Sequence, residues 1–184
     1  VSPVVVLVGP PGAGKTTVAR RVAQALAVPV HDTDHAVEAA AGRSISDIFT
    51  DSGEEAFRAL EEAAVAAALQ EQTGVVALGG GAVLSAATRA RLAGHPVVFL
   101  NVGLAEGVRR AGLASNRPLL AGINPRATFK ALLDARLPLY REVATVEVST
   151  DSRDVADVVA EVLDTVGAPP GPSPSTTDTG DQQA

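Results

Sequence analysis

Two short stretches carry the residue types that chemistry needs. Gly9-Pro10-Pro11-Gly12-Ala13-Gly14-Lys15-Thr16 fits the pattern GxxxxGK[ST] of a phosphate-binding P-loop. Glycines at that spacing let the backbone curl until several N–H groups converge on phosphate oxygens. The helix that follows turns its positive end to the same point. Gly12, Ala13, Gly14, Lys15, Thr16 and Thr17 then line the phosphates, with Lys15 reaching the outer ones and the Thr16 hydroxyl set to ligate Mg²⁺. Only Lys15 and Lys130 are lysines among fifteen Lys and Arg, so a lysine inside a Gly-rich loop is informative. The second stretch is His31-Asp32-Thr33-Asp34, directly after the apolar Val28-Pro29-Val30. On an extended segment residues i and i+2 share a face. The two carboxylates can serve as turn or N-cap acids, hold a metal through its water, or take the proton of a hydroxyl that attacks phosphorus.

The remaining strand ends narrow the nucleotide chemistry. A GTPase reads guanine with Asn-Lys-x-Asp, and the sequence has no such motif. ATPase motors end a strand in an acid that serves Mg²⁺ and water, but the third strand here ends Leu78-Gly79-Gly80-Gly81. The metal's second partner must come from elsewhere, and Asp32 and Asp34 are the strand-end acids available.

The elements that position these groups alternate. Val4–Val8 is a continuous β-branched run, as expected of a strand buried on both faces. Further strands are predicted at Val28–Asp32, Val75–Leu78, Pro96–Val102 and Thr145–Ser149. The intervening helices show apolar stripes: Val18, Val22, Ala25 and Leu26 in the first, and Phe57, Leu60, Ala64 and Ala68 in one opened by the capping-box spacing of Ser52 and Glu55. Another helix is capped by Ser85 and stopped by Gly94. Asn124-Pro125 starts a helix with Phe129, Leu132, Leu133 and Leu137 inward and a kink at Pro138. Val155, Val158, Val159, Val162, Leu163 and Val166 mark the last helix. Such alternation predicts an α/β fold, a parallel sheet with helices on both faces. Ligands of these sheets bind beyond the C-terminal strand ends, where GPPGAGKT, HDTD, GGGA and STDSR all fall.

The chain has 184 residues, 46% apolar and without Cys, at net charge −6. Thiolate metal sites, a Cys nucleophile and a disulfide framework are excluded. The charge speaks against a nucleic-acid surface, no segment is long and apolar enough for a membrane span, and no signal peptide is evident ahead of the first strand. A cytoplasmic, monomeric enzyme acting on small molecules is expected. Residues 1–167 read as one domain, and residues 168–184, rich in Pro, Gly, Ser and Thr, as a disordered tail.

GPPGAGKTT, DTD, FRALEE, LGGGAV and NRPLL, in this order and spacing, resemble shikimate kinase over roughly residues 3 to 166. The resemblance implies a three-layer αβα, P-loop nucleoside-monophosphate-kinase-like fold on a five-stranded parallel sheet, with ATP and Mg²⁺ as cofactors. It implies transfer of the γ-phosphate of ATP to the 3-hydroxyl of shikimate, a carboxylate with three ring hydroxyls. Arg58, Arg136 and the Gly80 N–H would bind the carboxylate, a task suited to the planar Arg fork. Gly79, Gly80 and Gly81 would let main chain approach the ring. Asp34 would hold the ring hydroxyls and serve as base, Asp32 would hold Mg²⁺ through water, and Glu61 would orient Arg58. The acceptor-binding segment would span about residues 33–61. Glu54, Arg58 and Glu62 also have the i,i+4 spacing of a solvated ion-pair ladder.

Residues 112–124, GLASNRPLLAGIN, read as a lid that excludes water over ATP, with Arg117 reaching the transferring phosphate. Family members hold adenine near residues matching Arg110 and Arg153; many carry Pro two residues after the latter, where this chain has Val155. Gluconate or nucleotide kinases share the P-loop but differ in the acceptor pocket. A non-catalytic ATP switch would need neither acceptor acid nor lid arginine.

Overall fold

The structure, a computed structural model, describes residues 2–112 and 124–167. Five strands, β1 (Val5–Val8), β2 (Val30–Asp32), β3 (Val75–Ala77), β4 (Val97–Asn101) and β5 (Val146–Ser149), form one sheet in the order β2-β3-β1-β4-β5. Every pairing is parallel, for example Val6 with both Val76 and Val97. β1 therefore lies at the centre, which is why it is apolar at each position and fully buried.

Side chains alternate across the strands and feed two cores. Val5 and Leu7 face one side. There they meet Val18 and Val22 of α1 (Lys15–Leu26) and Val158 and Val162 of α7 (Val155–Gly167). Val6 and Val8 face the other side. Their neighbours there are Val65 and Leu69 of α3 (Ile45–Glu71), Leu92 of α4 (Ala86–Leu92) and Tyr140 of α6 (Pro125–Val143). α2 (Thr33–Ala41) joins the first half of α3 through a satellite cluster of Val37, Ile48 and Phe57. α5 (Leu104–Gly112) follows β4.

Several boundaries and faces differ from expectation. α3 begins at Ile45, with the Ser44 hydroxyl accepting the Asp47 N–H, not at Ser52. The expected start coincides with a break inside the helix at Gly53, at φ 82° and ψ 173°. Its buried face also turns by a residue: Leu60 is 37% exposed, whereas Glu61 is only 3% exposed. A pattern built on apolar residues misses a buried carboxylate that has an ionic partner. In α1 the small Ala19 and Ala23 pack on the sheet while Ala25 is exposed. In α7 Val155 is exposed at the first turn. α6 runs on through Pro138, and its buried positions are Phe129, Arg136 and Tyr140, with Leu132, Leu133 and Leu137 half-buried.

Candidate active site

The phosphate loop joins β1 to α1. Gly9 lies so close to β4 that a Cβ there would sit 2.4 Å from the Leu100 carbonyl oxygen. Gly14 is the N-cap of α1 in the left-handed region, which aims the first N–H groups of the helix into the loop. Lys15 Nζ donates to the carbonyls of Gly9 at 2.8 Å and Pro10 at 3.0 Å. A triphosphate offers this ammonium a charged and stronger acceptor.

Asp32 performs the N-cap task that its position suggested and also meets the phosphate loop. Its Oδ1 accepts the Asp34 N–H at 3.0 Å and so caps α2, and its Oδ2 accepts the Thr16 hydroxyl at 2.8 Å. A hydroxyl beside a carboxylate is the hard-oxygen donor set that suits Mg²⁺, which keeps several waters and takes few protein ligands. A cavity of about 310 Å³ opens beside this pair, lined also by Arg20, His31 and His35. Asp34 reaches its place by another route than the one expected. β2 ends at Asp32, and Asp34 belongs to the first turn of α2, so no shared strand face relates the two. Its carboxylate nevertheless faces the glycine wall. A Cβ on Gly79 would meet Asp34 Oδ1 at 2.5 Å and Glu61 Oε1 at 2.6 Å.

Arg58 closes the other side of this wall. Its Nη1 donates to Glu61 Oε2 at 2.6 Å, and Nε and Nη2 donate to Glu54 Oε1 at 3.3 and 3.2 Å. The helical ion pair with Glu54 is thus real, and it coexists with the buried one. The guanidinium also lies 5.2 Å from the Phe57 ring centroid. A Cβ on Gly81 would run into Arg58 Nη1 at 2.1 Å, so only Gly permits this approach. Burial pushes the Glu61 carboxyl above its ordinary value, against the pull of Arg58, and the neighbouring Asp34 adds to the rise. Arg136, 6% exposed, completes the cluster from α6.

Two hydroxyls absent from the sequence expectations hold the wall. Thr33, fully buried, accepts the Gly79 N–H at 3.1 Å. Tyr140, also fully buried, donates its hydroxyl to the Gly80 carbonyl at 2.5 Å. Burial raises its phenol to about 12. Tyr140 is the chain's single tyrosine, the one compositional hint that it is special.

The far end of the loop is framed by Arg110. Its Nε donates to Glu106 at 2.7 Å, Nη2 to the Thr150 carbonyl at 3.1 Å, and Nη1 to the Gly12 carbonyl at 3.5 Å. Hydrogen bonds from Arg109 and Arg110 bring the Glu106 carboxyl down to about 2. Arg153 donates to the Ser149 carbonyl at the end of β5 and to Glu161 of α7. Phosphate loop, Asp32, Asp34, Arg58, Glu61, the glycines, Arg136, Arg110 and Arg153 therefore border one sheet edge. Arg117 and nearly all of the lid segment lie outside the described residues, as does the segment 168–184.

Residues 11–167 match the family model of shikimate kinase. A shikimate kinase of Saccharopolyspora erythraea is 63% identical over 167 residues, covering 91% of this chain and 95% of its own length. One from Salinispora arenicola is 59% identical over 161 residues, covering 88% and 96%. Among solved structures, shikimate kinase from Acinetobacter baumannii in complex with shikimate is similar at a TM-score of 0.86 and 36% identity, covering 90% of this chain and 93% of that one. A gluconokinase from Sinorhizobium meliloti shares the fold at a TM-score of 0.52 and 20% identity, covering 88% and 90%.

Proposed function

The chain belongs to the shikimate kinase family, and from that premise we propose how its residues move the γ-phosphate of ATP to the 3-hydroxyl of shikimate. The products are shikimate 3-phosphate and ADP. The reaction needs little covalent chemistry from protein; it needs two substrates aligned and charge neutralised as phosphorus passes between oxygens.

Gly12, Ala13, Gly14 and Thr17 present backbone N–H groups to the phosphates, and Lys15 neutralises the outer ones. Thr16 would hold Mg²⁺ directly and Asp32 would hold it through water; when bound, the ion would supply neutralising charge to the phosphates. Arg58, Arg136 and the Gly80 N–H seat the acceptor's carboxylate, with Glu61 orienting Arg58. Gly79 and Gly81 keep the ring against main chain. Asp34 accepts the hydrogen bond, and then the proton, of the attacking hydroxyl. Arg110 and Arg153 frame the adenine end. Arg117, carried by the lid of residues 112–124, neutralises the transferring phosphoryl group. The acceptor segment is residues 33–61 within a single domain of residues 1–167, followed by a tail at 168–184. The catalytic unit is read as a monomer working in the cytoplasm on small molecules, without nucleic acid or membrane; among the described residues no helix is long and apolar enough to cross a membrane.

One observation carries this reading. Asp32 joins the Thr16 hydroxyl on one oxygen to the Asp34 N–H on the other, so the metal side and the acceptor side are adjoining halves of one site. The test is ADP formation with ATP, Mg²⁺ and a panel of hydroxy acids and nucleoside monophosphates. Shikimate should give the fastest turnover. Faster turnover of gluconate or a monophosphate would reverse the assignment, and ADP formation indifferent to every acceptor would indicate an ATP-binding switch.

A further inference from the structure

We propose that Tyr140 is a positioning residue for the acceptor's carboxylate, acting through the Gly80 carbonyl and through Arg136. The inference rests on the reading of the Gly80 N–H and Arg136 as that carboxylate's seat, and adds to it the adjoining Gly81 N–H, which shares a peptide unit with the Gly80 carbonyl. Three glycines in a row have more backbone freedom than any other tripeptide, and a wall that must aim N–H donors needs outside restraint. Each of its peptide units has one. The Leu78–Gly79 unit is held by Thr33 on the Gly79 N–H. The Gly79–Gly80 unit is held by the Ala82 N–H on the Gly79 carbonyl at 3.1 Å. The Gly80–Gly81 unit is held by the Tyr140 hydroxyl, 60 residues away in sequence. In a trans peptide the C=O and N–H point in opposite directions, so the Ala82 bond fixes the Gly80 N–H and the Tyr140 bond fixes the Gly81 N–H beside it. This leaves the N–H groups of Gly80 and Gly81 aimed but not engaged among the described residues.

The same side chain neighbours the second anchor. Arg136 lies one helical turn before Tyr140, both are buried, and the guanidinium draws down the phenol's affinity for its proton by charge and by hydrogen bonding. Tyr140 thus holds one backbone unit of the proposed seat and shares a buried face of α6 with its arginine. Its ring is fixed independently, stacked on Phe99 at 5.0 Å between centroids. The hydroxyl is therefore separable from the packing.

Tyr140→Phe removes the hydroxyl and keeps the stack. Steady-state kinetics are measured with shikimate and with its analogue in which the carboxylate is reduced to a hydroxymethyl group. The expected result is a rise in KM for shikimate on the order of tenfold. The KM for ATP and the kinetics of the hydroxymethyl analogue should stay within about twofold, so that the preference for the acid shrinks. Phe99→Leu, which loosens the ring and leaves the hydroxyl, should lower the melting temperature without changing that preference. An equal loss for acid and alcohol in Tyr140→Phe, or an unchanged KM for shikimate, overturns the inference while leaving the seat itself intact. A wild-type enzyme that does not prefer the acid overturns the seat, and the inference with it.

Discussion

Arg58→Ala should separate the two halves of the site and expose the charge stored beside them. Arg58 pairs with Glu61 at 2.6 Å, where the Glu61 side chain is 4% exposed and that of Arg58 21%. Removing one member of a buried ion pair costs about 3–5 kcal/mol. Solvent at Arg58 lowers that to about 2–3 kcal/mol here, a melting temperature lower by roughly 5–10 °C for a domain of this size. The lost fork to the acceptor's carboxylate is worth about 2–3 kcal/mol, a rise of roughly 30- to 150-fold in KM for shikimate. ATP should bind within about threefold of wild type. The stability loss has a pH signature. The Glu61 carboxyl is already raised above 4.5 by burial, and Arg58 is the main influence lowering it; without Arg58 it rises further. A raised carboxyl binds a proton in the folded state where the unfolded chain has none. Its contribution is therefore complete below 4.5 and is lost as pH climbs through the folded value. The gap between wild type and variant should widen as pH rises above 4.5, through the range in which the carboxyl ionises. Coupled ADP assays and thermal melts across that range test both parts. Equal increases in KM for ATP and shikimate, or a gap that narrows with rising pH, would refute the reasoning.

Other substitutions probe the remaining groups. Asp34→Asn should retain ATP binding and lose about 10²- to 10⁴-fold in kcat; unaltered turnover removes Asp34 from proton handling. Asp32→Asn keeps a good N-cap for α2 but loses a charge beside Thr16, so the Mg²⁺ concentration for half-maximal rate should rise about tenfold, and an unchanged Mg²⁺ titration would argue against the metal role. Gly79→Ala drives a methyl to within 2.5 Å of Asp34 Oδ1 and 2.6 Å of Glu61 Oε1. It should lower kcat/KM for shikimate by at least about tenfold while sparing ATP affinity; an active, unshifted variant would mean that the wall gives way easily.

Much of this was legible in the chain because the signals are local. A buried central strand reads as an unbroken apolar run, a phosphate loop has fixed spacing, and Asn124-Pro125 and Ser85 cap the helices that they were expected to cap. Asp34 borders the glycine wall for another local reason than the expected one: the helix starts two residues sooner than a strand-face argument assumes, and the first turn of α2 carries the carboxylate there instead. Buried charge was the main blind spot. Glu61 and Arg136 occupy inward positions that periodicity assigned to Leu60 and to Leu132, Leu133 and Leu137, because a paired ion can take a core position that hydropathy reserves for leucine. Thr33 and Tyr140 act through single hydroxyl bonds to backbone groups 46 and 60 residues away. Such bonds leave no pattern in composition or spacing and become visible only when the topology brings the start of α2, the end of β3 and α6 to one edge.

The most direct measurement is a crystal structure with shikimate and a non-hydrolysable ATP analogue bound together. The 3-hydroxyl should lie within about 3 Å of an Asp34 carboxylate oxygen, in line with a γ-phosphorus that Lys15 contacts. A hydroxyl turned away from Asp34, or an acceptor lodged where the terminal phosphate cannot reach it, would contradict the account.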